Sequence, residues 1–170
     1  MRRLIACAMF LVGLLLSTGA VAQDPASQPA TSTAVCTFAD QKQMSVRYNQ
    51  LVVDKKDELP LGKLWTPGDA PMDLFTETPL LLNSKEIPVG AYRVYLIPEK
   101  DKWTLIVNKD VTAGSKYDEQ QDLVRAPMQT GKLPQAEPRF SIYFGHIAPK
   151  QCSMRVDVGK TRAWVDFDEK

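Results

Sequence analysis

The sequence predicts an all-β domain, an antiparallel β-sandwich with a small β-barrel as the alternative. Three observations lead there. Apolar and polar residues alternate over short runs, the period-two signature of half-buried strands. Clusters of Pro, Gly, Asn and Ser close those runs. The irregular stretch 49–73 carries no proline-free 3.6-residue pattern long enough for a helix.

The amino terminus comes first and reads as an export signal over residues 1–22. Arg2 and Arg3 supply a positive start, an apolar run follows to Leu16, and Ala20-Val21-Ala22 gives the small-x-small pattern that precedes cleavage. The run is shorter than the roughly 20 residues that span a bilayer, so cleavage is favoured over anchoring. Residues 23–34 are rich in Pro, Ser, Thr, Ala and Gln and read as a flexible leader. Residues 35–170 then form a single domain.

Within it, residues 35–38 and 44–48 flank the turn-like Ala39-Asp40-Gln41-Lys42 and suggest a first hairpin. Residues 49–73 are irregular. Asp54 to Glu58 is a charge cluster suited to a solvated loop, and Thr66-Pro67-Gly68-Asp69-Ala70-Pro71 is a dense turn signal. Residues 74–76 and 79–82 are short extended segments, and 83–86 a turn. The run 91–97 is aromatic and β-branched, as sheets favour, and returns through 103–108 as the clearest hairpin. Residues 116–125 allow a helical turn, but a loop leading to a strand over 123–128 is more economical. Residues 135–138 read as another turn. Strands over 139–144, 152–158 and 161–167 close the domain, the last two joined at Gly159-Lys160.

Composition limits the function classes. The 170 residues hold 21 Lys and Arg against 20 Asp and Glu, and are 44% hydrophobic. That balance excludes a polybasic nucleic-acid binder, and losing Arg2 and Arg3 with the signal leaves acid in slight excess. Nothing after the signal is apolar enough to span a membrane. Export places the chain in the periplasm or outside the cell. Two cysteines remain there, Cys36 and Cys152, and an even count in an oxidising compartment points to a disulfide, with two buried thiols as the alternative. With one histidine in the chain, His146, expected in a loop between strands, no metal site is expected unless carboxylates complete it. No cofactor motif is present: the chain lacks the Gly-rich loops that cradle phosphates and the G-x-S-x-G nucleophile elbow.

Three blocks share a resemblance. Gly62-Lys63-Leu64-Trp65-Thr66-Pro67-Gly68, the stretch from Leu82 to Pro98, and Trp103 to Lys109 are similar to the exported bacterial proteins grouped as domain of unknown function 2911 (DUF2911). The late pair of runs, from Val156 to Thr161 and Ala163 to Val165, resembles that family's last hairpin. The resemblance covers roughly residues 40–167 and implies a small secreted or periplasmic β domain without an established activity. Where the family usually carries an Arg after the first Trp and an Asn-Glu-Ala-Thr-like run after the Gly, this chain has Thr66 and Asp69-Ala70-Pro71-Met72. No catalytic role is therefore carried over.

Trp65, Asp69, Asp73, Tyr92 and Arg93 are the candidate ligand-binding residues, carboxylates and aromatics beside a guanidinium. An overlapping set, Tyr92, Tyr95, Trp103 and Trp164 interleaved with Arg93, Arg155 and Arg162, has the composition that stacks on sugars, peptides or bases if exposed together. The leading functional reading is non-enzymatic binding of a small ligand, glycan or envelope protein. A hydrolase using carboxylates between Trp65 and Glu77 is one alternative, and a purely structural domain the other.

Overall fold

The computed structural model describes residues 30–52 and 59–170. The signal segment and the Asp54–Glu58 cluster lie outside the described residues. The fold is all-β: nine antiparallel strands form one sheet in the order β1-β2-β3-β6-β7-β8-β9-β4-β5, not closed into a barrel. The strands are β1 Thr31–Thr37, β2 Gln43–Asn49, β3 Met72–Thr76, β4 Leu80–Leu82, β5 Lys85–Ile87, β6 Gly90–Pro98, β7 Trp103–Asn108, β8 Asp122–Ala148 and β9 Gln151–Glu169. Single 3-10 turns span Pro67–Asp69 and Glu119–Gln121. Among the described residues no helix is long and apolar enough to cross a membrane.

The two expected layers are thus one continuous sheet folded over. The fold-over is made by β8 and β9. The start of β8 pairs with β7, Met128 opposite Trp103. Gln129–Lys132 then pair with Trp164–Thr161, while Glu137–Ala148 pair with Gly159–Gln151. One arm of β8 therefore runs along each arm of β9.

A straight 19-residue strand would be about 60 Å long. Instead the Glu169 N–H donates to the Lys150 carbonyl, and Gln151 Nε2 reaches Asp168 at 2.8 Å. So β9 doubles back on itself at Gly159, whose φ of 54° suits a residue without a side chain. This is the turn that Gly159-Lys160 signals in the sequence. The other expected turn, 135–138, appears as register shifts between Lys132 and Ser141 within β8.

Two boundaries differ from expectation. Strand β1 begins at Thr31, so the last four residues of the expected leader pair with β2, Thr31 opposite Asn49. Their small side chains suit an edge strand, and Ala34 reaches the core. His146 lies within β8 rather than in a loop, because pairing with β9 continues to Ala148 opposite Gln151.

The inward sides of the strands share one core. Trp103, Phe38, Phe140 and Phe167 are its largest fully buried side chains, with Met44, Leu74, Leu96 and Met154 among them. Burying each such side chain contributes about 1.5–3 kcal/mol. Rings interlock edge-to-face across it, Tyr48 with Phe140 at 5.6 Å and Trp65 with Trp103 at 6.0 Å. The Tyr48 hydroxyl donates to the Ile142 carbonyl of β8. A disulfide between Cys36 of β1 and Cys152 of β9 crosses the core, with Cα atoms 6.5 Å apart and 116 residues between them in sequence.

Closing so long a loop restricts the unfolded chain strongly. Replacing both cysteines with alanine is expected to lower stability by about 2–5 kcal/mol, read as a fall in urea midpoint with a steeper transition, because the unfolded chain without the cross-link exposes more surface. An unchanged midpoint would show that the cross-layer bond contributes nothing.

Candidate functional site

The candidate site is a cavity of about 430 Å³ on the outward face of β2, β3 and β6. Register builds it. Arg47 of β2 lies opposite Asp73 of β3, and Asp73 opposite Arg93 of β6. Residues facing one another across strands point to the same side of a sheet, so the three form a row of positive, negative and positive charge. The next row brings Phe75 beside Ala91. Pro71, Val111, Ala113 and Gly114 complete the lining.

The polar groups are unevenly committed. Arg47 Nη2 donates to Asp73 Oδ2 at 2.8 Å, and Arg93 Nε lies 3.1 Å from Asp73 Oδ1. Both oxygens of the carboxylate are therefore engaged. The Arg93 contact is an ion pair without hydrogen-bond alignment, and its buried Nε has no hydrogen-bond partner among the described residues. Arg93 Nη2 donates to the Val111 carbonyl, and the Arg47 guanidinium stands 5.5 Å over the Phe75 ring. What the walls still offer is N–H donors beside apolar surface.

The loop between β7 and β8 forms one wall, and buried polar groups hold it. Asn108, buried at the end of β7, donates through Nδ2 to the Asp118 carbonyl and to Asp122 Oδ1, and accepts from the Asp110 N–H. Tyr117 stacks edge-on against Tyr95 at 4.9 Å. Its hydroxyl donates to Asp122 Oδ2 at 2.6 Å, and Arg125 donates to the same oxygens. Burial first, then the bond to Asp122, pushes the Tyr117 phenol up to about 12. Asp110, earlier in the same loop, is held below the usual carboxylate range by hydrogen bonds from Thr112.

Asp73 and Arg93 of the five sequence candidates meet here. The other three lie elsewhere. Trp65 bridges to Leu96 through the backbone and packs edge-on against Trp103 and Phe140. Tyr92 is buried, with its hydroxyl donating to the Pro88 carbonyl. Asp69 is exposed on the 3-10 turn with φ 51°. Nor does Glu77 join Asp73: its carboxylate accepts from the Gln43 N–H. Sequence reasoning missed Arg47 and Phe75. Alternation over 44–48 does turn Arg47 outward, but only the register sets it beside Asp73.

A second cluster involves the cysteines. Cys36, His146 and Cys152 place ligand-type atoms within 4.8 Å of one another, and His146 Nε2 is 3.6 Å from Cys36 Sγ. With the sulfurs bonded to each other neither is a thiolate, the form a metal requires.

The chain matches the family model described as protein of unknown function (DUF2911) over residues 28–167. No curated protein and no solved structure matches it.

Since the folded phenol of Tyr117 titrates above its ordinary value of 10.0, its contribution to stability is complete below pH 10 and is lost as pH rises through about 12. Alkaline absorbance titration should show one tyrosine with a midpoint near 12, absent in Tyr117→Phe. If that variant keeps the same titration curve, the bond to Asp122 does not hold the wall.

Proposed function

The chain belongs to the DUF2911 family, and from that premise we propose that it is an exported, non-enzymatic binding domain whose cavity at Arg47, Asp73 and Arg93 takes a small organic anion. One observation carries this reading. The cavity's single carboxylate is engaged by both arginines, so donors are the polar groups left for a ligand. Guanidinium groups pair with carboxylate or phosphate oxygens through parallel N–H donors. Phe75, Ala91 and Val111 provide an apolar wall for the rest of such a molecule. The cavity is within the range of small-molecule sites.

Export is supported by the charged start, short apolar run and small-residue end of residues 1–22. The Cys36–Cys152 disulfide agrees with an oxidising compartment.

The test is a thermal-shift screen of carboxylates and phosphate esters against the mature protein. A ligand at about 100 times its dissociation constant adds about 2.7 kcal/mol, several degrees for a domain of this size. Arg47→Gln, at the half-exposed edge of the row, should remove most of that shift while leaving the unliganded melting temperature nearly unchanged. A panel without any shift, or one whose shifts survive Arg47→Gln, would refute the anion reading.

A further inference from the structure

A separate set of residues occupies the outward face of the other layer. The two arms of β9 lie side by side, and their outward side chains alternate with the core residues Cys152, Met154, Ala163 and Phe167. Ser153, Arg155, Arg162, Trp164 and Asp166, with Ile147 of β8, line a cavity of about 300 Å³ there. Two polar atoms in this lining lack partners among the described residues. Ser153 is 1% exposed and its Oγ makes no hydrogen bond. Asp166 Oδ1 is equally shut from solvent and also makes none. A buried hydroxyl or carboxylate oxygen without a partner costs about 1–3 kcal/mol. Two such atoms in one cavity mark a place where a ligand supplies the missing bonds.

Glycines shape the floor. A Cβ on Gly145 would stand 2.9 Å from the Arg155 guanidinium, and one on Gly131 would stand 3.2 Å from the tip of the Trp164 ring. Both large side chains therefore lie over a diagonal neighbour on β8 that has no side chain.

The charges identify the ligand class. Arg162 is consumed by Asp157, through Nε to Oδ1 at 2.8 Å and Nη2 to Oδ2 at 2.7 Å, and the Tyr143 hydroxyl adds a third bond to that carboxylate. Arg155 makes no ion pair among the described residues and rests near the Tyr143 ring, 6.0 Å from its centroid. The uncommitted groups are then a cation at Arg155, an anion at Asp166 and a neutral hydroxyl at Ser153, beside an indole. An anionic ligand would meet Asp166 and a cationic one Arg155. A neutral ring bearing several hydroxyls satisfies all of them: it donates to Asp166, accepts from Arg155, exchanges a bond with Ser153 and lays its C–H face on Trp164.

From this arrangement we infer that the outward face of β9 is a saccharide-binding site, separate from the anion cavity and resting on none of its residues. The cavity's volume suits one sugar ring, with neighbouring rings running along the open sheet surface.

The experiment is calorimetric and fluorescence titration of the mature protein with cellotriose, maltotriose and chitotriose, up to roughly 10 mM, where even a millimolar dissociation constant is measurable. At least one should bind saturably and perturb tryptophan emission. Asp166→Asn and Trp164→Ala should each weaken that binding by about 10-fold or more, whereas Arg47→Gln should leave it unchanged. Should Trp164→Ala fail to fold, Asp166→Asn and Arg155→Gln decide the matter, since both side chains lie on the outward face of β9 and neither substitution opens the core. The inference is overturned if none of the three saccharides binds, if binding persists undiminished in Asp166→Asn, or if the zwitterion glycylglycine binds at this face and the sugars do not.

Discussion

The pairing of β8 with two partners is the constraint on which the rest of the structure depends. Its first arm completes the ladder begun by β7, and its remainder runs along both arms of β9. A strand shared in this way cannot leave either layer without breaking the other. It fixes how the sheet folds over, and so which side chains become core. Phe140 and Ile142 on the returning arm meet Tyr48 and Trp65 from the first layer only because β8 has crossed between layers. The disulfide reinforces the same closure from the opposite end, tying the edge strand β1 to β9.

Much of this fold was legible in the sequence. Met44 to Tyr48 alternates cleanly and Trp103 to Val107 is apolar at every position but Thr104, and both runs form their hairpins. The Gly159 reversal was legible because glycine tolerates a positive φ at no steric cost. The crossing of β8 was not. From Gln129 to Arg139 its residues are mostly polar or proline, with no alternation to mark a strand. That segment stays extended because backbone pairing on β9 imposes it. The Thr31–Ala34 stretch was obscured in the same way, since Thr, Ser and Ala have the composition of a linker yet serve at an edge.

The candidate site was partly legible, and its misplacements are instructive. Tyr92 and Arg93 are neighbours on one strand, so their side chains point to opposite faces. They could never line one surface: Tyr92 follows Val94 and Leu96 inward, and Arg93 goes outward. Asp73 and Arg93 meet because β3 and β6 pair at that register, across an interval that sequence spacing does not encode. Arg155, Arg162 and Trp164 are another case. The Gly159 turn predicts that Arg155 and Trp164 come side by side. What the sequence does not reveal is the pair of unpartnered oxygens in the same cavity.

The long interval between the two bonded cysteines sets an order of events for a growing chain. Cys36 emerges early, and its partner follows only 116 residues later. Until then the early strands can form hairpins, which are local, but the last sheet partners do not yet exist. Non-local closure is the slow step in β topologies. Closure of this pair is therefore a record of completed assembly: a chain truncated before β9 carries Cys36 without its partner, while a finished one hides both sulfurs in its interior.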